Sequence, residues 1–339
     1  MKRETATQIP VTILTGFLGT GKTTLLNRIL REDHGLRIAV IENEFGEAGI
    51  DNEILLQERQ EQIVEMNNGC ICCTVRGDLV RILGELQSKR SSGVLQFDWV
   101  VIETTGLADP APVAQTFFVD EEVSSDYRLD AIITVVDAKH GPMQLDEHHE
   151  AQEQVGFADR ILLSKTDLVS GGDVEALQKR LHAINPRAPI LPVVFGSVDV
   201  AEVLDIHGFR LDTILQVDPA FLEDVTHEHD DDIGSFAYRD AEAFDLERLE
   251  TFFSLLLQTY GNDFLRYKGV LNIDGKSNRV IFQGVHMLFG ADEGKPWAIG
   301  ESRETTMVFI GRRLPRAVIE KGLALCRSGI AADPAEVLS

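Results

Sequence analysis

The segment VTILTGFLGTGKTTLLNRIL, residues 11–30, decides the fold. Val11 to Thr15 is the short apolar run expected of a buried strand, and from Thr24 onward the apolar residues return at helical spacing. Between them Gly16-Phe17-Leu18-Gly19-Thr20-Gly21-Lys22-Thr23 fits the phosphate-loop pattern in full. Glycines at 16, 19 and 21 let backbone N–H groups close around phosphate oxygens, with Thr20 and Thr24 completing the binding segment. Lys22 reaches the β- and γ-phosphates, and the Thr23 hydroxyl is a ligand for Mg2+. A glycine-rich turn before an ordinary helix is the competing reading. Strand, lysine and hydroxyl in one register argue against it.

Outward from this segment, RIAVIE (37–42), WVVIE (99–103), AIITVVD (131–137) and RILLSK (160–165) read as buried strands. Val75, Leu79, Ile82, Leu83 and Leu86 recur at helical spacing, as do Val174, Leu177, Leu181 and Ile184. The alternation predicts an α/β domain over 1–217, with a mainly parallel sheet covered on both faces. The acidic, aperiodic DPAFLEDVTHEHDDDI, 218–233, reads as a linker. Beyond it, 234–332 predicts a smaller α+β domain. SFAYRD, YKGVLNID, RVIFQGVHMLFG and TTMVFIGRRL are each taken as a strand, Leu246 to Leu256 as a helix, and a last helix starts near Pro315.

Composition narrows the partners. The 339 residues carry 32 basic and 55 acidic side chains, a net charge of −23 that opposes adhesion to nucleic acid or anionic membranes. No apolar run approaches the ~18 residues of a membrane span, and the basic start runs into the glycine-rich loop instead of a cleavage site. With four cysteines and no export signal, the expected compartment is the reducing cytoplasm, with thiols free or metal-bound.

Two further motifs serve the nucleotide. Glu103-Thr104-Thr105-Gly106 ends a strand: Glu103 can hold Mg2+ through water, and the Gly106 N–H can meet the γ-phosphate. Ser164-Lys165-Thr166-Asp167 addresses the base. Asp167 can accept from both guanine N1–H and the exocyclic amine while the Lys165 stem covers the ring, which favours GTP over ATP. The usual guanine motif begins with Asn, so Ser164 is expected to remove one amide contact.

Cys70, Cys72 and Cys73 crowd three of the four thiols into four positions. A disulfide between neighbours closes a strained ring, whereas thiolates gathered by the turn-forming Asn67-Asn68-Gly69 suit a soft, tetrahedral metal site. Glu42 to Glu47 follows a strand whose end shares the sheet edge with the phosphate loop, so its carboxylates can approach both sites. Small buried side chains and a solvated acidic loop are the plainer alternatives. Cys326, isolated near the last helix, reads as a packing residue, and His148 and His149 as surface helix residues.

With these motifs in place the chain resembles the CobW-like metal-chaperone GTPases, a group within the phosphate-loop class that includes nickel-enzyme maturation factors. The resemblance rests on GFLGTGKTTLLNRIL, IAVIENEFGE, NNGCICC, VVIETTGLADPAP, ADRILLSKTD, FLRYKG, FQGVH and TMVFIG, and spans about residues 10–330. It implies a GTP-hydrolysing protein that binds zinc, with cobalt and nickel as alternatives, and delivers or senses it. It also implies Cys70, Cys72 and Cys73 with Glu42 and Glu47 as metal residues, and Lys22, Thr23 and Glu103 as phosphate and magnesium residues, which with Gly106 from the strand-end motif make the expected catalytic set. A second copy of the chain or a client metalloprotein is the expected partner. Where some members carry a histidine run, this chain has only His227 and His229 in its acidic linker. A metal sensor or store with a structural nucleotide, and a small-molecule phosphotransferase, are the other classes open at this point.

Overall fold

The computed structural model describes residues 8–42, 62–65, 74–208, 232–298, 300–330, 332 and 334–337. The chain divides into two compact units: Met1–Gln178 with Ala188–Phe209, and Lys179–Arg187 with Arg210–Ser339.

The first unit alternates strands and helices: β1 Ile9–Thr15, α1 Lys22–Arg31, β2 Ile38–Glu42, β3 Gln62–Glu65, α2 Thr74–Ser91, β4 Trp99–Glu103 and α3 Ala111–Val119. Then come α4 Glu121–Asp126, β5 Tyr127–Asp137, α5 Gly141–Glu147, α6 His149–Phe157, β6 Arg160–Ser164, α7 Gly171–Ile184, whose last residues from Lys179 onward are assigned to the second unit, and β7 Ile190–Val193. The seven strands form one sheet in the order β3-β2-β4-β1-β5-β6-β7, and every pairing is parallel. This is the predicted α/β architecture with two more strands than the sequence suggested.

Burial explains the architecture. On one face Leu14, Val40, Val101 and Ile133 pack with Leu25, Leu26 and Ile29 of α1. The alternate residues Val11, Ile13, Ile102 and Ile132 are buried as well, so the central strands need continuous apolar runs. The strand order reverses around β1, which places the loop after β1 where the carboxyl ends of a doubly wound sheet open a crevice.

The second unit is an antiparallel sheet with helices. Its elements are β8 Ile233–Asp240, α8 Leu246–Tyr260, β9 Phe264–Leu271, β10 Asn278–Val285, β11 Leu288–Pro296, β12 Thr305–Arg312 and α9 Arg316–Leu325, with strand order β11-β10-β9-β12-β8. Phe252, Phe253 and Leu256 of α8 and Ile319 and Leu323 of α9 share a core with Tyr267, Phe282 and Phe309. Asp245 caps α8 by accepting from the Arg248 N–H at 3.1 Å. RVIFQGVHMLFG is not one strand, as expected, but a hairpin in which Val285 faces Leu288 across a two-residue turn. His286 takes the left-handed backbone at φ 53°, a role normally announced by Asn or Gly, so the turn carries no sequence signature. Cys326 is fully buried, with its Sγ on the Gly322 and Arg248 carbonyls at 3.2 and 3.6 Å, and burial pushes its thiol up to about 12.

Candidate nucleotide and metal site

The phosphate loop leaves β1 at Gly16 and enters α1 at Lys22. Gly16, Gly19 and Gly21 have φ of 143°, 73° and 102°, backbone conformations that side chains rarely tolerate. A side chain at Gly16 would run into the Val135 carbonyl, whereas Gly19 and Gly21 face open space. Gly21 is the N-cap of α1 and supplies no side-chain cap, nor does an acidic residue occupy the first turn. The first-turn N–H groups of a ten-residue helix are thus left to an anion.

The loop carbonyls are held from outside. Lys22 Nζ donates to Gly16 O at 2.8 Å and Phe17 O at 3.2 Å, and the buried Thr20 hydroxyl donates to Phe17 O at 2.9 Å. Gln144 of α5 reaches Leu18 O at 3.5 Å, Lys165 Nζ donates to Gly19 O at 2.7 Å, and Ser164 Oγ donates to Thr20 O at 2.7 Å. Each carbonyl from 16 to 20 therefore has a side-chain donor, which fixes the loop with its amides available for phosphate. Thr20 is a support of the loop, while Thr23 and Thr24 are exposed on the first helical turn.

At the position where the usual guanine motif has Asn, the Ser164 hydroxyl donates to Thr20 O of the loop, with Val136 O as an alternative acceptor at 3.2 Å. Lys165, in the left-handed conformation at φ 57°, also pairs with Asp137 at 2.6 Å. Burial pushes the Asp137 carboxyl up, but hydrogen bonds from Lys165, His140 and the His140 and Lys139 N–H groups outweigh it and hold the group below its ordinary value. Asp167 stands exposed in the 3-10 turn Thr166–Leu168 that follows.

On the other side of β1, Thr23 Oγ1 donates to Glu103 Oε1 at 2.9 Å. A hydroxyl and a carboxylate meeting at the start of the helix are the hard oxygen donors that Mg2+ takes, so the residues present fit that ion. Burial lowers the Lys22 pKa, opposed by the charge of Glu103. Beyond β4 the Thr104 hydroxyl bonds the Thr15 hydroxyl at 2.9 Å, and Gly106 lies so close to Leu18 that an added Cβ would sit 2.6 Å from its nitrogen. Gln154 of α6, fully buried, donates to Gly106 O at 3.2 Å and Ala108 O at 3.0 Å.

Glu42 ends β2 in register with Glu103 of β4 on one side and with Glu65 of β3 on the other. Neighbouring strands lie ~4.8 Å apart, so Glu42 is one strand spacing from the Thr23–Glu103 pair. Glu47, Cys70, Cys72, Cys73, His227 and His229 lie outside the described residues. Elsewhere in the unit Asp130, Asp205 and His207 lie close enough to hold a cation together, but the fully buried Asp130 already accepts from the Ile206 and His207 N–H groups and pairs with Arg128. His148, expected on the surface, is half-buried between α5 and α6, with its ring stacked on Phe17 of the loop at 4.5 Å. His149 is exposed.

The sequence reading missed Asp137, Gln144, Gln154 and the Phe17–His148 stack. Asp137 was visible as the acid ending a buried strand, whereas nothing in the surroundings of either glutamine distinguishes it from an ordinary helix residue.

A parallel sheet with this loop, helix start and carboxylate defines a phosphate-loop nucleotide-binding domain. The chain belongs to the CobW/HypB/UreG family: the model of that family's nucleotide-binding domain matches residues 10–192, and the cobalamin synthesis protein CobW C-terminal domain matches 233–327. It is 44% identical to the zinc chaperone YjiA of Escherichia coli over 317 residues, covering 93% of this chain and 98% of that one. The zinc-regulated GTPase metalloprotein activator 1 of Schizosaccharomyces pombe is 34% identical, over 91% of this chain and 83% of its own. The crystal structure of the Zn(II)-bound YjiA GTPase superposes with a TM-score of 0.78 at 38% identity, covering 95% of this chain and 100% of that chain. Among the described residues, no helix is long and apolar enough to cross a membrane.

Proposed function

We propose that this protein is a GTP-hydrolysing zinc chaperone in which nucleotide and metal binding act on one another, with delivery to a client metalloprotein as its output. The reading is supported by relatives named as a zinc chaperone and as a zinc-regulated GTPase. The coupling is supported by the register of Glu42 with Glu103, which stand one strand apart and to which this reading gives a metal role and a nucleotide role.

On this reading Lys22 exchanges the Gly16 and Phe17 carbonyls for β- and γ-phosphate oxygens, a change its partly desolvated ammonium favours. Thr23 and Glu103 would hold Mg2+, which when bound neutralises charge on the β- and γ-phosphates. The loop amides and the Gly106 N–H stabilise charge on the transferring phosphoryl group while water attacks it, and slow turnover suits a switch. Asp167 selects guanine, and Lys165, tied to Gly19 and Asp137, lays its stem over the base. Cys70, Cys72 and Cys73 with Glu42 and Glu47 hold zinc as cargo, with cobalt and nickel as competitors. A second copy or the client completes that site, and the cytoplasm is where such free thiolates persist. Residues 1–217 form the catalytic domain, 218–233 the linker and 234–332 the second domain.

GTP hydrolysis measured across zinc, cobalt and nickel concentrations, in the native protein and in Cys72→Ala, tests the proposal. Metal-dependent turnover that Cys72→Ala abolishes is expected. A GTP analogue that leaves zinc affinity unchanged refutes the coupling, and a Lys22→Ala protein that keeps metal-dependent partner binding points to a sensor or store.

A further inference from the structure

We infer that Phe195 is a base-stacking residue, forming with the Lys165 stem a two-sided slot for the purine ring. The inference rests on the guanine-nucleotide reading of the site. Phe195 is 79% exposed, more than any other large hydrophobic side chain among the described residues, and its backbone is left-handed at φ 49°. An aromatic residue in that conformation is disfavoured by its backbone and by its exposure together, so folding alone gives no reason for it.

Its setting is rigid. Val193 ends β7 in register with Ser164, the residue before Lys165. Phe195 then stands at the tip of a tight turn closed by a Val194–Ser197 bridge and by the Ser197 N–H on Val194 O at 2.9 Å. The next residue, Gly196 at φ 72°, lies against α1: a Cβ there would be 3.2 Å from both the Thr24 carbonyl and Leu25 Cα. Val193 and Val198 flank the turn and pack in the same core as Leu25 and Leu26. The turn is thus pinned to the helix that begins the phosphate site, and to the strand edge that carries Lys165 and Asp167, while the ring between the pins is left to solvent.

A purine bound through its edge to Asp167 offers two faces. Lys165 is fixed at its ammonium by Gly19 O and Asp137, so its stem is set to cover one face. An aromatic ring is the side chain suited to the other, because a base presents a π-face whatever its edge groups. Stacking is accordingly assigned to affinity for any purine, and discrimination to Asp167.

The test uses the full chain with GDP, xanthosine diphosphate and inorganic pyrophosphate as probes. Phe195→Ala should weaken GDP binding about 5- to 150-fold, leave pyrophosphate within about twofold, and keep the preference for GDP over xanthosine diphosphate. Phe195→Trp should restore GDP affinity, and its fluorescence should change with GDP but not with pyrophosphate. GDP affinity unchanged in Phe195→Ala would overturn the inference, as would equal losses for GDP and pyrophosphate, which would mark Phe195 as a support of the loop. Asp167→Asn separates this from the underlying reading. If it fails to exchange GDP for xanthosine diphosphate, guanine selection by Asp167 falls, while the alanine and tryptophan results still decide the stacking.

Discussion

Gly106→Ala should slow hydrolysis by up to ~10²-fold in a protein that still folds. Gly106 lacks the left-handed φ of the loop glycines, so alanine meets no backbone penalty there and the whole effect is one of space. The added Cβ would lie 2.6 Å from Leu18 N and 2.8 Å from Leu18 Cα, where ordinary contact begins at 3.4 Å. These are backbone atoms of a loop held at every carbonyl, so they do not yield as a side chain would. The two loops must part by roughly 0.6–0.8 Å, an overpacking cost of about 1–3 kcal/mol. A displacement of that size between the phosphate loop and the glycine proposed to meet the γ-phosphate is worth up to ~10²-fold in rate. Single-turnover GTP hydrolysis, alongside nucleotide affinity and thermal unfolding, reads the effect: a large fall in rate with a small change in Tm is expected. Turnover within about twofold of the native protein would show that the Leu18–Gly106 contact does not set the reacting geometry, and would refute the reasoning.

Three other outcomes follow from the same geometry. Ser164→Ala removes the donor to Thr20 O from a half-buried position, so nucleotide affinity should fall about fivefold, ~1 kcal/mol, with Ser164→Asn retaining it; equilibrium titration checks both. Asp137 has a depressed pKa, so its contribution to stability is fully present above the ordinary value of 3.8 and is lost as pH falls through the depressed one. The stability gap between native protein and Asp137→Asn should hold from neutral pH down to about 3.8, shrink below it and close as pH falls through the depressed value, as followed by urea unfolding. With Cys70, Cys72 and Cys73 replaced by alanine, a thiol reagent at pH 8 should find no reactive group until the protein unfolds, because burial keeps Cys326 protonated up to about 12.

What the sequence could reveal depended on where each element sits. The five predicted strands of the parallel sheet lie inside it, where burial on both faces demands an unbroken apolar run. The two missed strands, Gln62–Glu65 and Ile190–Val193, are its edges. They are four residues each, and the second carries Pro192, which a central strand would not accept. The candidate nucleotide residues were legible because their spacing is local: Lys22 and Thr23 directly follow the loop glycines. Their support was not, because Gln144 meets Leu18 from 126 positions away, and no periodicity in either segment encodes the meeting. The Ser164 substitution was legible as a change of residue, but the bond of its hydroxyl to Thr20 O, 144 positions away, was not.

The carbonyl props of the phosphate loop also set when it can form. Gln144, Ser164 and Lys165 join it across 126, 144 and 146 positions of sequence, so the loop has no finished shape until β5 has docked on β1 and β6 on β5. Closing contacts of that span is slow, and the chain must complete its parallel sheet before it can bind a nucleotide at all. Ligand affinity is therefore tied to the cooperative unfolding of the whole first unit and not to local fraying. A nucleotide at a hundred times its Kd would add about 2.7 kcal/mol to the stability of every strand in the sheet, and amide exchange would slow in β6 as much as in the loop itself.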